Sequence, residues 1–256
     1  MKHVILLTGI SRSGGTILSQ LFSKHPDVTS LGELWSFIHG KKKTGQGTEK
    51  YCGCGKKYSD CDFWGSIKLE GKSKAEDTLK IYDHANTPFV VDKSNMDHIP
   101  AILELYRSKK ISLRAVFFIR EIGGYSNSRL KSVAGKSKAI QFLYSIFYAY
   151  FWRKKNNEIL NFLESENIEV FAVGYKQMCE DPQKIFTKIA KFCGLSNIDV
   201  YGENKGKSHI AFGNRTKKKT IKVKYDSKWK ENPLAVFSSK LPFVRLFEEK
   251  VLFKYS

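Results

Sequence analysis

The segment that most limits the fold lies at residues 4–22. Val4–Thr8 is a run of β-branched and leucine residues, and Gly9-Ile10-Ser11-Arg12-Ser13-Gly14-Gly15-Thr16 follows at once. Ile17, Leu18, Leu21 and Phe22 then recur at helical spacing. That order predicts a strand, a tight loop and a helix. Two glycines five apart before a hydroxyl residue match a phosphate-binding loop, G-x-x-x-x-G-K-[ST], except that Gly15 stands at the lysine position. Backbone N–H groups at the start of the helix still offer an anion cradle, to which Thr16 adds a hydroxyl. Without the lysine, ordinary Mg-ATP hydrolysis is disfavoured. A turn that binds nothing is the competing reading, and it leaves the entropic cost of so many glycines uncompensated.

Further along, Pro26 closes the first helix and Val28–Leu31 forms a short strand with Gly32-Glu33 just past its end. Glu33 is therefore expected on the rim where open α/β sheets bind ligands. Pro88–Val91 is a buried-type strand ending in Asp92-Lys93-Ser94-Asn95, and a helix is expected from about Ile99 to Tyr106. Leu113–Ile119 is the clearest strand; it ends at Arg120, before a helix carrying Ser126, Asn127, Ser128, Arg129 and Lys131. A longer helix runs from about Ala139 to Leu163, Ile168–Val173 is a strand, and Asp181-Pro182 opens a helix that reaches Phe192 before Gly194. This alternation predicts an α/β fold: a P-loop-like three-layer α/β/α arrangement on a central, mainly parallel sheet. The length suits one domain, residues 1–256, with a polar, cysteine-containing insertion at about 40–80.

Against 25 Asp and Glu stand 44 Lys and Arg, a formal charge of +19 that favours anionic partners. No nucleic-acid motif accompanies the charge, so nucleic acid is not an expected partner. Val4–Leu7 is too short for a secretion signal, and the aromatic stretch Ile140–Trp152 falls short of the ~20 apolar residues of a membrane span. A cytoplasmic protein is expected. Five cysteines, an odd number, do not suggest a disulfide framework. Phe142, Tyr144, Phe147, Tyr148, Phe151 and Trp152 lie at helical spacing and are read as core, and His98 and His209 as solvated or capping residues. Cys52, Cys54 and Cys61 raise the question of zinc with His39 or His84. Cys52-x-Cys54 is shorter than the usual ligand spacing, however, and no fourth ligand is evident, so free or locally paired thiols are preferred.

Arg12-Ser13-Gly14-Gly15-Thr16-Ile17-Leu18, followed by His25-Pro26-Asp27-Val28 and Gly32-Glu33, resembles the 5′-phosphosulfate loop of sulfotransferases that use 3′-phosphoadenosine 5′-phosphosulfate (PAPS). It is most similar to the bacterial and tyrosylprotein branches, which read R-S-G-T-T-L, H-P-x-V and G-E. The resemblance implies that Arg12, Ser13, Gly14, Gly15 and Thr16 bind the donor's 5′ end, that Glu33 is the general base, and that Lys93 lies near the sulfate. It also implies a 3′-phosphate site at Arg120 and Ser128. An arginine at a strand end and a hydroxyl on the next helix can converge on one phosphate. Tyr175-Lys176 with Asp181-Pro182 and Phe192-Cys193-Gly194-Leu195 resembles the family's Y-E-x-L…D-P…F-L-G-L segment, whose tyrosine lies near the adenine. Ser208–Arg215 resembles the H-x-x-x-G-N-R loop that closes over the cofactor, adding Asn214 and Arg215, and Ser227-Lys228-Trp229 resembles a nearby S-K-W. Cys52, Cys54 and Cys61 with Asp62-Phe63-Trp64 resemble a cysteine-rich insert of bacterial relatives. Among the departures from the pattern, Gly15 replaces a threonine, Glu121 an aspartate, Ser132 an arginine and Lys176 a glutamate.

The function so implied is transfer of a sulfuryl group from PAPS to a hydroxyl of a glycan, lipid or other small molecule, with release of 3′,5′-adenosine bisphosphate and no metal required. The positive charge leans toward an anionic glycan as acceptor. The alternatives are a small P-loop nucleotide kinase and a non-catalytic basic module that binds anionic glycan or nucleic acid.

Overall fold

The computed structural model describes residues 1–38, 51–71, 73–94, 96–203, 206–211 and 223–255. Among these, six strands form one sheet: β1 (Lys2–Thr8), β2 (Val28–Gly32), β3 (Phe89–Asp92), β4 (Ile111–Ile119), β5 (Val170–Gly174) and β6 (Lys207–Ala211). Their order is β5-β4-β1-β3-β2-β6, and every pairing is parallel. β6 was not expected as a strand. It adds the last edge beside β2, with Gly32 opposite Ala211.

The strands read as near-continuous apolar runs because helices cover both faces. Along β1, Val4 and Leu6 pack into one layer while Ile5 and Leu7 pack into the other. β4 divides in the same way, with Leu113, Ala115, Phe117 and Ile119 on one side and Val116 and Phe118 opposite. On the second side lie α1 (Gly15–Phe22), through Leu18, Leu21 and Phe22, and α8 (Pro182–Cys193), through Phe186 and Ile189. On the first lie α3 (Lys74–His84), α4 (Ile99–Arg107), α5 (Ile122–Leu130) and α6 (Lys138–Ser165), with α10 (Pro242–Tyr255) beside them. Each Leu, Ile or Phe buried in this way contributes about 1.5–3 kcal/mol. The remaining helices are the short α2 (Leu34–Ile38), α7 (Tyr175–Glu180) and α9 (Pro233–Ser239). Among the described residues no helix is long and apolar enough to cross a membrane.

Local chemistry sets several boundaries. Asp181 caps α8 by accepting from the Lys184 N–H at 3.1 Å, Pro182 fills its first turn, and Gly194 at φ 75° ends it. Helix α3 begins inside the segment read as a polar insertion. Ser73 accepts from Glu76 N at 3.1 Å, and Ala75, Thr78, Ile81 and Tyr82 supply a buried stripe too short to stand out by periodicity. The aromatic run of α6 also differs from expectation. Tyr148 and Trp152 are buried, but Phe142, Tyr144 and Phe147 are 40 %, 39 % and 52 % exposed, because the helix packs on one side only. His98, read as solvated or capping, stands at the N-cap of α4 without a side-chain cap bond and is fully buried, its Nε2 3.3 Å from the Thr78 hydroxyl.

The end of β3 carries a buried acid. Asp92 accepts from the Tyr82 hydroxyl at 2.6 Å and from Ser94 at 2.8 Å. Burial nevertheless raises its carboxyl to about 6. The folded chain thus holds this proton more tightly than the unfolded chain, where Asp titrates near ~3.9. Its stabilising contribution is complete below about pH 4 and is lost as pH rises through about 6. Urea midpoints measured from pH 4 to 7 should therefore fall, relative to Asp92→Asn, as pH rises. A pH-independent difference between the two proteins would overturn this reading.

Candidate active site

Crossovers leave β1 and β4 in opposite directions, so a crevice opens between their C-terminal ends. The Gly9–Thr16 loop lies there. Arg12, at φ 70°, and Gly14, at φ 100°, both take left-handed backbone, and Gly14 caps α1. A Cβ at Gly14 would stand 2.7 Å from Phe118 Cε1 and 3.1 Å from Tyr175 Cδ2, which explains the glycine. No side chain caps α1, and its first turn holds no acid. Its leading N–H groups are left for another acceptor, with the positive end of the helix dipole behind them. Ser13 Oγ is buried with no hydrogen-bond partner among the described residues, an unusual state for a buried hydroxyl.

On one side of this loop stand Glu33 and Lys93. The Lys93 N–H donates to Gly32 O at 2.8 Å and the Glu33 N–H to Ala211 O at 3.1 Å, so the ends of β2, β3 and β6 are pinned together. Lys93 Nζ donates to Glu33 Oε1 at 2.6 Å, with side chains 25 % and 27 % exposed. The Lys93 side chain crosses Gly15: a Cβ at that glycine would meet Lys93 Cε at 2.8 Å. This accounts for the departure at position 15. A lysine thus reaches the loop from the neighbouring strand end, and a side chain at position 15 would have to push its flexible end aside.

On the other side lies a second basic group. Arg12 Nη1 donates to Ser128 Oγ at 3.4 Å, and Arg120 Nη1 donates to the Arg12 carbonyl at 3.3 Å. Arg120 is well ordered by its surroundings. Its carbonyl accepts from Trp152 Nε1 at 3.0 Å, its guanidinium lies 4.7 Å above the Tyr175 ring, and Nη2 pairs with Asp226 at 3.3 Å. Its buried Nε has no partner among the described residues. Beside it, burial raises the Glu121 carboxyl.

Arg12, Ser13, Gly14, Gly15, Thr16, Glu33, Lys93, Arg120, Ser128 and Tyr175 thus gather at one edge of the sheet. Asn214 and Arg215, like His39, lie outside the described residues. Trp229 packs flat on α5, where a Cβ at Gly123 would come within 2.3 Å of its ring, and its indole donates to the Tyr225 hydroxyl at 3.2 Å. Lys176 forms an exposed pair with Glu180 at 3.7 Å. Ser132 turns back to Arg129 O at 2.7 Å. His25 is structural: its ring lies 2.6 Å from Ser196 Oγ and accepts from Asp27 N, tying the turn before β2 to the segment after α8.

Two features escaped the sequence reading. Asp226 reaches Arg120 across 106 residues, and only its place just before Ser227-Lys228-Trp229 hinted at it. His209 is not solvated: it faces Cys52, Cys54 and Cys61, whereas His84 lies 3.1 Å from Ser66 Oγ.

A family model described as the sulfotransferase family matches residues 5–199. No curated protein matches the sequence. Among solved structures, the sulfotransferase domain from the curacin biosynthetic pathway aligns with a TM-score of 0.56 at 16 % identity, over 100 % of this chain and 99 % of its own. The sulfotransferase domain of the Synechococcus PCC 7002 olefin synthase gives 0.56 at 17 %, over 98 % and 94 %. A sulfotransferase from Alicyclobacillus acidocaldarius gives 0.52 at 12 %, over 100 % and 98 %. At such identities these structures speak for the fold, while the family match spans well over half of the sequence: the chain belongs to the sulfotransferase family.

Proposed function

We propose that this protein is a PAPS-dependent sulfotransferase that transfers the sulfuryl group to an acceptor hydroxyl and releases 3′,5′-adenosine bisphosphate. The observation that carries the reading is the 2.6 Å Lys93–Glu33 pair laid across Gly15 of the anion loop. A carboxylate and a cation stand together where the loop N–H groups converge. Ser13 Oγ and Arg120 Nε, buried donors with no partner among the described residues, support donor binding, since an anionic acceptor would satisfy each.

In this scheme the Gly9–Thr16 loop and Arg12 hold the 5′-phosphosulfate, and Arg120 with Ser128 holds the 3′-phosphate, which displaces Asp226 from the Arg120 fork. Tyr175 supports the Arg120 guanidinium and borders the adenine, and Asn214 and Arg215 complete the donor site. Lys93 swings from Glu33 toward the incoming sulfate, which frees the carboxylate. Glu33 then takes the acceptor's hydroxyl proton as its oxygen attacks sulfur in line and the sulfur–phosphate oxygen bond breaks. Arg12 and Lys93 offset the charge developing on the leaving phosphate. The scheme uses no metal. The acceptor is a hydroxyl of a glycan, lipid or other small molecule, and the charge of +19 favours an anionic glycan. We place this activity in one domain of a cytoplasmic protein.

Adenosine 3′,5′-bisphosphate should raise the melting temperature of the purified protein; stabilisation by ATP or GTP with Mg²⁺ instead would point to a kinase and sink the proposal. Replacing Glu33→Gln should cut kcat with ³⁵S-labelled PAPS by roughly 10²- to 10⁴-fold while leaving bisphosphate binding intact. A basic module that only binds anions would be indifferent to that change.

Arg120→Ala should weaken adenosine 3′,5′-bisphosphate by about 10- to 100-fold, the worth of a charge-assisted bond at about 1.5–3 kcal/mol, and leave ADP binding nearly unchanged. Equal losses for both ligands, read by calorimetry, would remove Arg120 from the 3′ site. Gly15→Thr, which restores the family residue, should displace the flexible end of Lys93 at little cost in melting temperature yet lower kcat. An unaltered rate would show that Lys93 need not lie where it does.

A further inference from the structure

Beside β6, four ligand-type atoms meet. The Sγ atoms of Cys52, Cys54 and Cys61 and an imidazole nitrogen of His209 all lie within 4.8 Å of one another. Cys54 Sγ is 3.7 Å from Cys61 Sγ, and His209 Nδ1 is 3.4 Å from Cys61 Sγ and 3.7 Å from Cys52 Sγ. A tetrahedral zinc ion with bonds of about 2.3 Å to sulfur and about 2.0–2.1 Å to nitrogen requires S···S edges of about 3.8 Å and S···N edges of about 3.6 Å. The three separations match a set of ligands around one such centre.

The surroundings are built for the same geometry. The Cys54 N–H points to Cys52 Sγ at 3.5 Å, Gly55 N donates to Cys52 O at 3.0 Å and Cys52 N donates to Lys56 O at 2.9 Å, which folds Cys52–Lys56 into a tight turn around the first two sulfurs. This turn brings a one-residue spacer, shorter than the usual C-x₂₋₄-C, into ligand range. His209 is held on two sides: Phe63 stacks on its ring at 4.7 Å and 15°, and Trp64 Nε1 donates to its carbonyl at 2.9 Å. Cys52 and Cys61 are buried and Cys54 is exposed, which leaves an entry path for an ion.

We propose that Cys52, Cys54, Cys61 and His209 form a structural Cys₃His zinc site that staples the 51–71 segment to β6. Soft thiolates with one imidazole in tetrahedral array select zinc over the hard cations, and four protein ligands leave no open position for catalysis. Binding releases the thiol protons to solvent and leaves thiolates on the ion. The consequence for the active site is positional. Ala211, two residues beyond His209, accepts the Glu33 N–H, and Gly53 N donates to Ile210 O at 3.0 Å, so the staple anchors the strand against which Glu33 is set.

The test is metal content of the full chain purified without chelator. Native mass spectrometry and elemental analysis should give one zinc per chain. Protein stripped with a chelator and titrated with Co²⁺ should develop the visible absorption of a tetrahedral thiolate site. Cys54→Ser, at the exposed ligand, should weaken zinc binding by more than about tenfold. Should the ligand variants fail to fold, the wild-type stoichiometry still decides the matter. Substoichiometric zinc after growth and reconstitution with Zn²⁺, or a mass two daltons low from a Cys54–Cys61 disulfide, would overturn the assignment. None of these results depends on which donor the active site uses.

Discussion

Parallel pairing of β1 with β3 on one flank and β4 on the other is the constraint on which the rest of the molecule rests. Strands that run the same way release the chain at the same edge, so residues 9–16, 93 and 120 emerge side by side although over a hundred positions separate the first from the last. Burial of β1 on both faces holds that arrangement rigid, because tilting it would strip apolar contacts from two layers at once. A site built on three strand ends inherits this rigidity. Its backbone positions are set before any ligand arrives.

The charges at that edge are balanced in pairs. Lys93 answers Glu33, and Asp226 answers Arg120, while Arg12 leans on a neutral serine. Each pair is partly open to solvent, so its own contribution to stability is modest, about 0–1 kcal/mol. Their importance is to keep cations folded inward without leaving them as unpaired charge.

Much of this was legible in the chain. The strand–loop–helix at residues 4–22, the caps Asp181-Pro182 and Gly194, and the alternation that predicts a parallel sheet all rest on local patterns, and all are present in the fold. Position 15 is instructive in the other direction. As a letter in the sequence it was a defect in two motifs, and in three dimensions it is the space through which Lys93 passes. The aromatic run of α6 misled for a related reason: helical spacing says which residues share a face and not which face another layer covers.

His209 marks the same boundary. Three cysteines with irregular spacing lacked a fourth partner in their own neighbourhood, and the partner comes from an edge strand 148 residues beyond Cys61. By itself the sequence determined the first five strands, most of the long helices and their order, because dihedral preference, capping and apolar periodicity act over a few residues. The tertiary structure alone decided which side chains meet: Lys93 with Glu33 across Gly15, Asp226 with Arg120, His209 with the thiols. Those meetings depend on strand order and register, which arise from burying two faces of one sheet at once and leave no mark on any short stretch of chain.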